Sequence, residues 1–417
     1  MESKSDDSLK PQDLESSLDI SDLLYLEQKT SNVVRERTQK IQYANTSVNW
    51  NNTILVINWQ TGSDYISTKD SSLRVKVKTT DAARANEADG TITWGNFGSV
   101  LNCFKTVRVI GRGGDVVAQI DSSNLLNYYK VQYEHSKAWK SQQGKALIGL
   151  GTDAVAQNTE YLIPLQLICP FFENDELLPN MLCRGMRLEI TLEQPSVAFV
   201  QTGTITHALG AYSLSNCELI LDSYSLTSGA ANWLNERSAS NGLVLTYKDY
   251  ENSNFVKPLA STSYSYESRK TASMANSVMT IFREQRATEL AEDSFGATGV
   301  VAGDTFQYRV GSLYLPIQPI SSVLQTYQQQ NYCLDRLRSG QELGVTLDEF
   351  TQTDGLSVQS AVLDRYWLEG SGLAINNSTT LTISGNNAVS TRDKDVDIFL
   401  KHTRSLVIFL QQLRRSD

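Results

Sequence analysis

Three histidines, five cysteines and one knot of acids are the side chains of this 417-residue sequence that could do chemistry. His135, His207 and His402 would need to converge with carboxylates to hold a metal ion, because cupin-type sites gather His and Glu ligands on neighbouring strands. They fall instead on a predicted helix, a linker and a late strand, which reads as surface or partly buried imidazoles rather than a ligand set. Glu173, Asp175 and Glu176 sit together in FFENDELLP, and paired carboxylates are what glycoside hydrolysis uses. On the loop tip that this stretch predicts, solvation leaves them ordinary acids. No G-x-S-x-G elbow supports a serine nucleophile. IGRGGDVV at 110–117 lacks the Lys-Ser/Thr and the following helix of a phosphate-binding loop, so it is read as a hairpin tip. Cys103, Cys169, Cys183, Cys217 and Cys333 are odd in number with no C-x-x-C pair, which fits reduced, buried thiols. The sequence thus assigns no catalytic, cofactor-binding or metal-binding residue, and it predicts neither a cofactor nor an enzyme.

The elements that position these residues are mostly strands. In SLRVKVKTT, Leu73, Val75 and Val77 alternate with Arg74, Lys76 and Lys78, a period of two that buries one face and wets the other. Further strands are expected at 54–59, 105–110, 116–120, 186–193, 217–222, 243–247, 277–283, 306–315, 379–383 and 396–410, separated by Gly, Asn, Asp and Ser turns. That succession predicts β-sandwiches or barrels. Two helical stretches, 124–140 (NLLNYYKVQYEHSKAWK) and 322–337 (SVLQTYQQQNYCLDRL), each follow a strand pair and stand about half the chain apart, which suggests an architectural duplication. In the first, Leu125, Tyr129 and Tyr133 share a face. The greasy run 162–194 carries Pro164, Pro170 and Pro179; it is expected to supply two adjacent strands, with the prolines at their boundaries and Phe171 and Phe172 opening the connection.

Composition allows a sizeable core, at 40% hydrophobic and 20% charged, and a prior of roughly 150 residues per domain gives two or three. The expected division is an arm at 1–40, a first unit at 41–205 and a second at 206–417, with a Gly/Thr/Ser linker at 200–216. Leu14, Leu18, Leu23, Leu26 and Val33–Val34 give the arm a helical spacing. Of the net charge of −9, residues 1–27 carry most, with eight acids against Lys4 and Lys10. An acidic chain lacks the electrostatic footprint of direct nucleic-acid binding. Lys401, Arg404, Arg414 and Arg415 read as a solvated strand face, or one that meets an acidic partner. No apolar run approaches the ~18 residues of a membrane span, and the opening MESKSDDS lacks the order of a secretory signal, so a soluble, intracellularly made chain is expected.

Several stretches together resemble the double jelly-roll major capsid proteins, the lineage that includes adenovirus hexon, virophage, polinton-like and large DNA virus capsids. The midpoint carries Ile163-Pro164-Leu165, Pro170-Phe171-Phe172, Leu178-Pro179 and the alternating Leu188-Glu189-Ile190-Thr191-Leu192. Gly98, Phe104, Lys105, Val107, Arg108 and Val109, then the Gly-Gly-Asp turn and DSSNLLNYY, are similar to the family's central strands and long-loop helix. In the second half, 232–251, 310–321 and 395–410 are similar to their counterparts. The resemblance covers about residues 40 to 412, by common order rather than identity.

It implies an all-β fold of two tandem eight-stranded jelly-roll barrels with short helices in long loops and an N-terminal helical arm. It also implies a structural role in the virion: a homotrimeric, pseudo-hexameric capsomer contacting neighbouring capsomers and penton and minor or cement proteins of an icosahedral double-stranded DNA virus, with no sequence-specific nucleic-acid binding. An internal membrane beneath the shell is left open. The rival readings are a jelly-roll carbohydrate-active or cupin-like enzyme, which would gather carboxylates or metal ligands in a concave site, and a cell-surface fibre or lectin, which would favour a signal peptide or repeats.

Overall fold

The computed structural model describes residues 34–408 and the backbone of 413–416, apart from 45–46, 52–53, 80–90, 152, 156–157, 175–176, 203–208, 241, 287–291, 334–343, 353, 364–371 and 388–391. The expected helix of the arm lies outside these residues.

Strands β1 (Val34–Tyr43), β2 (Ile54–Asn58), β3 (Tyr65–Thr79), β4 (Phe104–Ile110), β5 (Val116–Ile120), β6 (Asn158–Pro164), β7 (Arg187–Leu192) and β8 (Tyr212–Leu226) form two antiparallel sheets. Their orders are β1-β8-β3-β6 and β2-β7-β4-β5. Strands β9 (Leu243–Lys257), β10 (Ser263–Ser268), β11 (Ala272–Glu284), β12 (Thr305–Val310), β13 (Leu313–Ile320), β14 (Gln359–Val362), β15 (Leu381–Asn386) and β16 (Lys394–Ile408) form two more, ordered β9-β16-β11-β14 and β10-β15-β12-β13. Adding eight to each strand number of the first pair reproduces the second pair. In each half the chain folds like a hairpin of four nested strand pairs, first with eighth, second with seventh, third with sixth and fourth with fifth. Rolled over a core, that nesting is the jelly roll. The duplication expected from the two helices is therefore a duplication of topology.

Alternation builds each roll. Leu73, Val75 and Val77 of β3 are fully buried while Arg74, Lys76 and Lys78 face outward, and β7 repeats the pattern with Leu188, Ile190 and Leu192 inside. β16 departs from it, because nearly every residue from Val396 to His402 is buried. Ile398 and Leu400 face the second roll's own core, whereas Phe399 belongs to a second, larger core shared with the first half. β11 is split likewise, Val278 to one core and Met279 and Ile281 to the other. A strand buried on both faces reads as a continuous apolar run, which is why IFLKHTRSLVIFL shows little alternation.

Several expectations are corrected. β1 starts at Val34, so residues 34–40 begin the first sheet rather than end an arm. It is a polar edge strand held by its backbone pairing to β8 and by Arg37–Asp222 (2.6 Å) and Lys40–Asp64 (2.5 Å) ion pairs, so it lacks apolar alternation. β8, placed after the expected linker, pairs with β1 and β3 of the first half, because Leu214, Leu219 and Leu221 fill the first core. The first sheet thus runs to Leu226, past 205/206, and the connection to β9 is a helix, Ser228–Ser240. The strand expected at 306–315 is two strands, broken at Gly311, whose φ of +59° suits a residue without Cβ. The 162–194 run leaves strand after Pro164: Leu165–Ile168 is one helical turn, and β6 and β7 lie in opposite sheets rather than side by side. Pro164, Pro170 and Pro179 do mark boundaries, each at the end or start of an element.

Candidate functional site

Among the described residues, those singled out for chemistry form no shared metal-binding group. His135 follows the helix α1 (Ser123–Glu134) and stacks on Trp139 at 3.9 Å. His402 is buried in β16 opposite Asp249, and His207 lies outside the described residues. Among the described residues no group of three His, Cys, Asp or Glu side chains could hold a metal ion. The hairpin tip is as expected, with Gly111 N–H donating to the Asp115 carbonyl (2.8 Å) across the β4–β5 turn. All five cysteines are free and buried.

Two expectations about charge are overturned. Glu173 is no ordinary loop-tip acid: it pairs with Lys130 of α1, and burial raises its carboxyl above the usual range against the pull of that ammonium. Asp175 and Glu176 lie outside the described residues. Lys401 and Arg404 are not a solvated face either. Lys401 is buried, and Arg404 binds Asp249 (2.7 Å) and Glu251 (2.8 Å) within its own sheet. Of Arg414 and Arg415 only the backbone is described, paired with Val407 and Leu406.

What the geometry does assemble is a joint between the two halves, centred on α1. SNLLNYYKVQYE contains no Gly or Pro and is rich in tolerable helix formers, so the helix is permitted locally; its packing decides the rest. Every residue from Ser123 to Tyr133 is buried, not the single face that its spacing predicts. One side meets the first roll, where Asn124 Nδ2 donates to Glu193 Oε2 (3.1 Å). From the other, three phenols cross to the second half. Tyr128 donates to Asp293 Oδ2 (3.0 Å), Tyr129 to the Phe295 carbonyl (2.8 Å) and Tyr133 to the Leu356 carbonyl (2.6 Å). Burial pushes all three phenols well above their ordinary pKa, so they remain protonated donors.

The second half reciprocates. Tyr247 of β9 donates to the Val117 carbonyl of β5 (2.6 Å) and packs edge-on against Phe171, with ring centroids 5.0 Å apart. Ser294 Oγ donates to the Val197 carbonyl at 3.0 Å. Lys130 is enclosed by Glu134, Glu173 and the Tyr250 ring; burial alone would lower its ammonium, but the two carboxylates outweigh it and hold it above its usual value. Gly95 of the first half adopts φ +88°, and a Cβ there would run into the Asp293 carboxylate. These groups fasten the two halves together: the donors end on backbone carbonyls and on the Asp293 carboxyl.

The exposed apolar side chains offer contact surface instead. β13 is a sheet edge on which Leu313, Tyr314 and Ile317 are exposed, Ile317 by 87%, and Leu324 on the following helix α3 (Val323–Cys333; α2 being Ser228–Ser240) is exposed as well. Sequence reasoning missed both features, although the adjacent Tyr128-Tyr129 and the LYLPIQPI run were visible as unusually aromatic and apolar stretches.

No family model and no curated protein matches the sequence. Solved structures do match over nearly its whole length. The capsid of virus PBCV-1 aligns at TM-score 0.63 and 12% identity, covering 92% of this chain and 98% of that one. The Faustovirus major capsid protein aligns at 0.63 and 11%, covering 98% and 100%. The mavirus major capsid protein aligns at 0.53 and 10%, covering 91% and 90%. With its two rolls of identical strand order and its end-to-end match to these structures, the chain has the double jelly-roll fold of viral major capsid proteins.

Proposed function

We propose that the protein is a major capsid protein, a structural subunit of the virion shell and not an enzyme. The observation that carries this reading is the pairing of a complete tandem fold with a locked joint: the likeness spans both rolls, and α1 fastens one roll to the other. A shell subunit must transmit load between neighbours without changing shape, and a joint of buried phenols and packed aromatics supplies that stiffness.

The division that suits this reading places the first roll at 34–226 and the second at 243–408, with α2 as connector. The subunit associates in threes, and three two-barrelled chains give a six-lobed outline able to tile a near-hexagonal lattice. Neighbouring capsomers, penton and minor proteins are its partners. Supporting the self-association is the exposed apolar strip of β13 and α3, since apolar surface of this kind on a soluble chain marks contact sites. Light scattering on the purified chain tests it: a trimer is expected, with Ile317→Asp shifting the mass towards monomer while the melting temperature is kept. A wild-type monomer at shell-forming concentrations would rule out the assembly reading.

A further inference from the structure

Beside the joint, α1 and α3 close over a small cavity whose walls come from both halves. Strand alternation aims those walls inward. On β11, Val278 faces the second roll's own core, so Ser277 and Met279 on either side of it face the seam between the halves. On β16, Ile398 and Leu400 face that core, so Phe399 and Lys401 face the seam. Val358 and Ser360 share the seam side of the segment that forms β14, and Ala361 takes the other. Gln330 and Cys333 stand one turn apart on α3, as do Tyr129 and Tyr133 on α1, and the two helices complete the enclosure.

Polar atoms inside this enclosure are left without protein partners. Gln330 is fully buried, and neither its amide nitrogen nor its amide oxygen makes a hydrogen bond among the described residues. The same holds for the hydroxyl of Ser360, buried on β14. The Tyr133 oxygen stands next to Gln330 without completing a bond, its own proton being given to the Leu356 carbonyl. Buried amides and hydroxyls in folded proteins are nearly all bonded, either to protein or to ordered water. The cavity has a volume of about 10 Å³ for the centre of a water molecule, which is room for one and for nothing larger.

We propose that this cavity is the binding site of a single structural water, shared by the two halves of the chain. Seated between α3 and β14, the water donates to Gln330 Oε1 and accepts from Ser360 Oγ, while the Gln330 amide N–H turns to the Tyr133 oxygen of α1. An ion is the poorer occupant. Lys130 and Lys401 line the cavity and repel a cation. The Lys130 ammonium is bound by Glu134 and Glu173, and the charge of Lys401 bears on the same Glu173. An anion such as chloride, larger than water, therefore finds neither a free ammonium nor the space. The site does not rest on the shell reading, because every group in it belongs to one chain and a monomer would keep it.

A crystal structure of the whole chain, at a resolution that shows ordered waters, locates the site, and water magnetic relaxation dispersion counts long-lived internal waters in solution. Wild type is expected to show one density peak within hydrogen-bond distance of both Gln330 and Ser360. Gln330→Met keeps the length of the side chain and removes the amide; it should abolish the peak and lower the dispersion amplitude by the contribution of one water. Ser360→Ala, which removes a single hydroxyl, should weaken the peak and tests the site even if Gln330→Met does not fold. Gln325→Met, on the exposed face of the same helix, should change neither reading. Melting curves confirm that each variant is folded. The proposal is overturned if the wild-type cavity shows no peak, if the peak proves to be an ion, or if the dispersion amplitude is the same in wild type and in every folded variant at positions 330 and 360.

Discussion

At the scale of single residues, the joint turns on hydroxyls and one carboxyl whose roles the sequence could not show. Removing the hydroxyl of Tyr133 leaves the buried Leu356 carbonyl without its donor, so Tyr133→Phe should cost about 1–3 kcal/mol, seen as an earlier denaturant midpoint with an unchanged slope. Asp293 is enclosed, and burial raises its carboxyl above the usual value, opposed by the Phe295 N–H, the Tyr128 hydroxyl and Arg286, while Asp354 stands nearby. A raised carboxyl holds its proton in the folded state after the unfolded chain has released it. Stability therefore falls as pH rises through the window between the ordinary carboxylate value and the folded one, and the cost is complete above it. Asp293→Asn keeps the acceptor for Tyr128 and removes the ionisation. Its melting temperature relative to wild type should rise as pH goes from about 4 to about 7. A flat difference across that range would place the ionised carboxylate at no disadvantage. At neighbouring Gly95, Gly95→Ala should destabilise more than an exposed glycine such as Gly229, because its Cβ meets the Asp293 carboxylate and its φ is positive.

At the scale of elements, much was legible. Period-two alternation found β3 and β7 because each has one wet face, and turn residues found the β4–β5 hairpin. The same logic failed for β1, a polar edge strand whose partners are backbone and ion pairs, and for the seam at 200–216, where loop-like composition ran directly into the eighth strand of the first roll. Strand pairing between residues nearly 190 apart, such as Arg37 with Tyr224, leaves no local mark in a sequence. Helix α1 was found, but its burial on all sides was not, since spacing reports a helix's own faces and not how many neighbours it will have. β8 is the element whose reassignment matters most. Leu219 is fully buried at the centre of the first sheet, between β1 and β3, so Leu219→Pro should abolish folding of the first roll. The same change at exposed Val244 on the outer strand β9 should cost far less. Limited proteolysis with mass mapping distinguishes the two: general cleavage through residues 34–226 in the first variant, and protection close to wild type in the second.

At the scale of the whole molecule, the second roll keeps a core of its own, while a larger core continues from the first roll through α1 to one face of β9, β11 and β16 and joins the two halves. The polar groups at the centre, Tyr128, Tyr129 and Tyr133 with their acceptors, fasten the halves. The order of the family-like stretches was readable in the sequence, whereas the joint and the β13 strip arise from contacts across the two halves and at the surface. The central claim, that this rigid pair of barrels is building material which associates in threes, is tested most directly by electron microscopy of the purified protein. Class averages should show compact particles with threefold symmetry and six lobes, each subunit contributing two upright barrels. Particles that remain single two-lobed monomers, or pair as dimers, would contradict it.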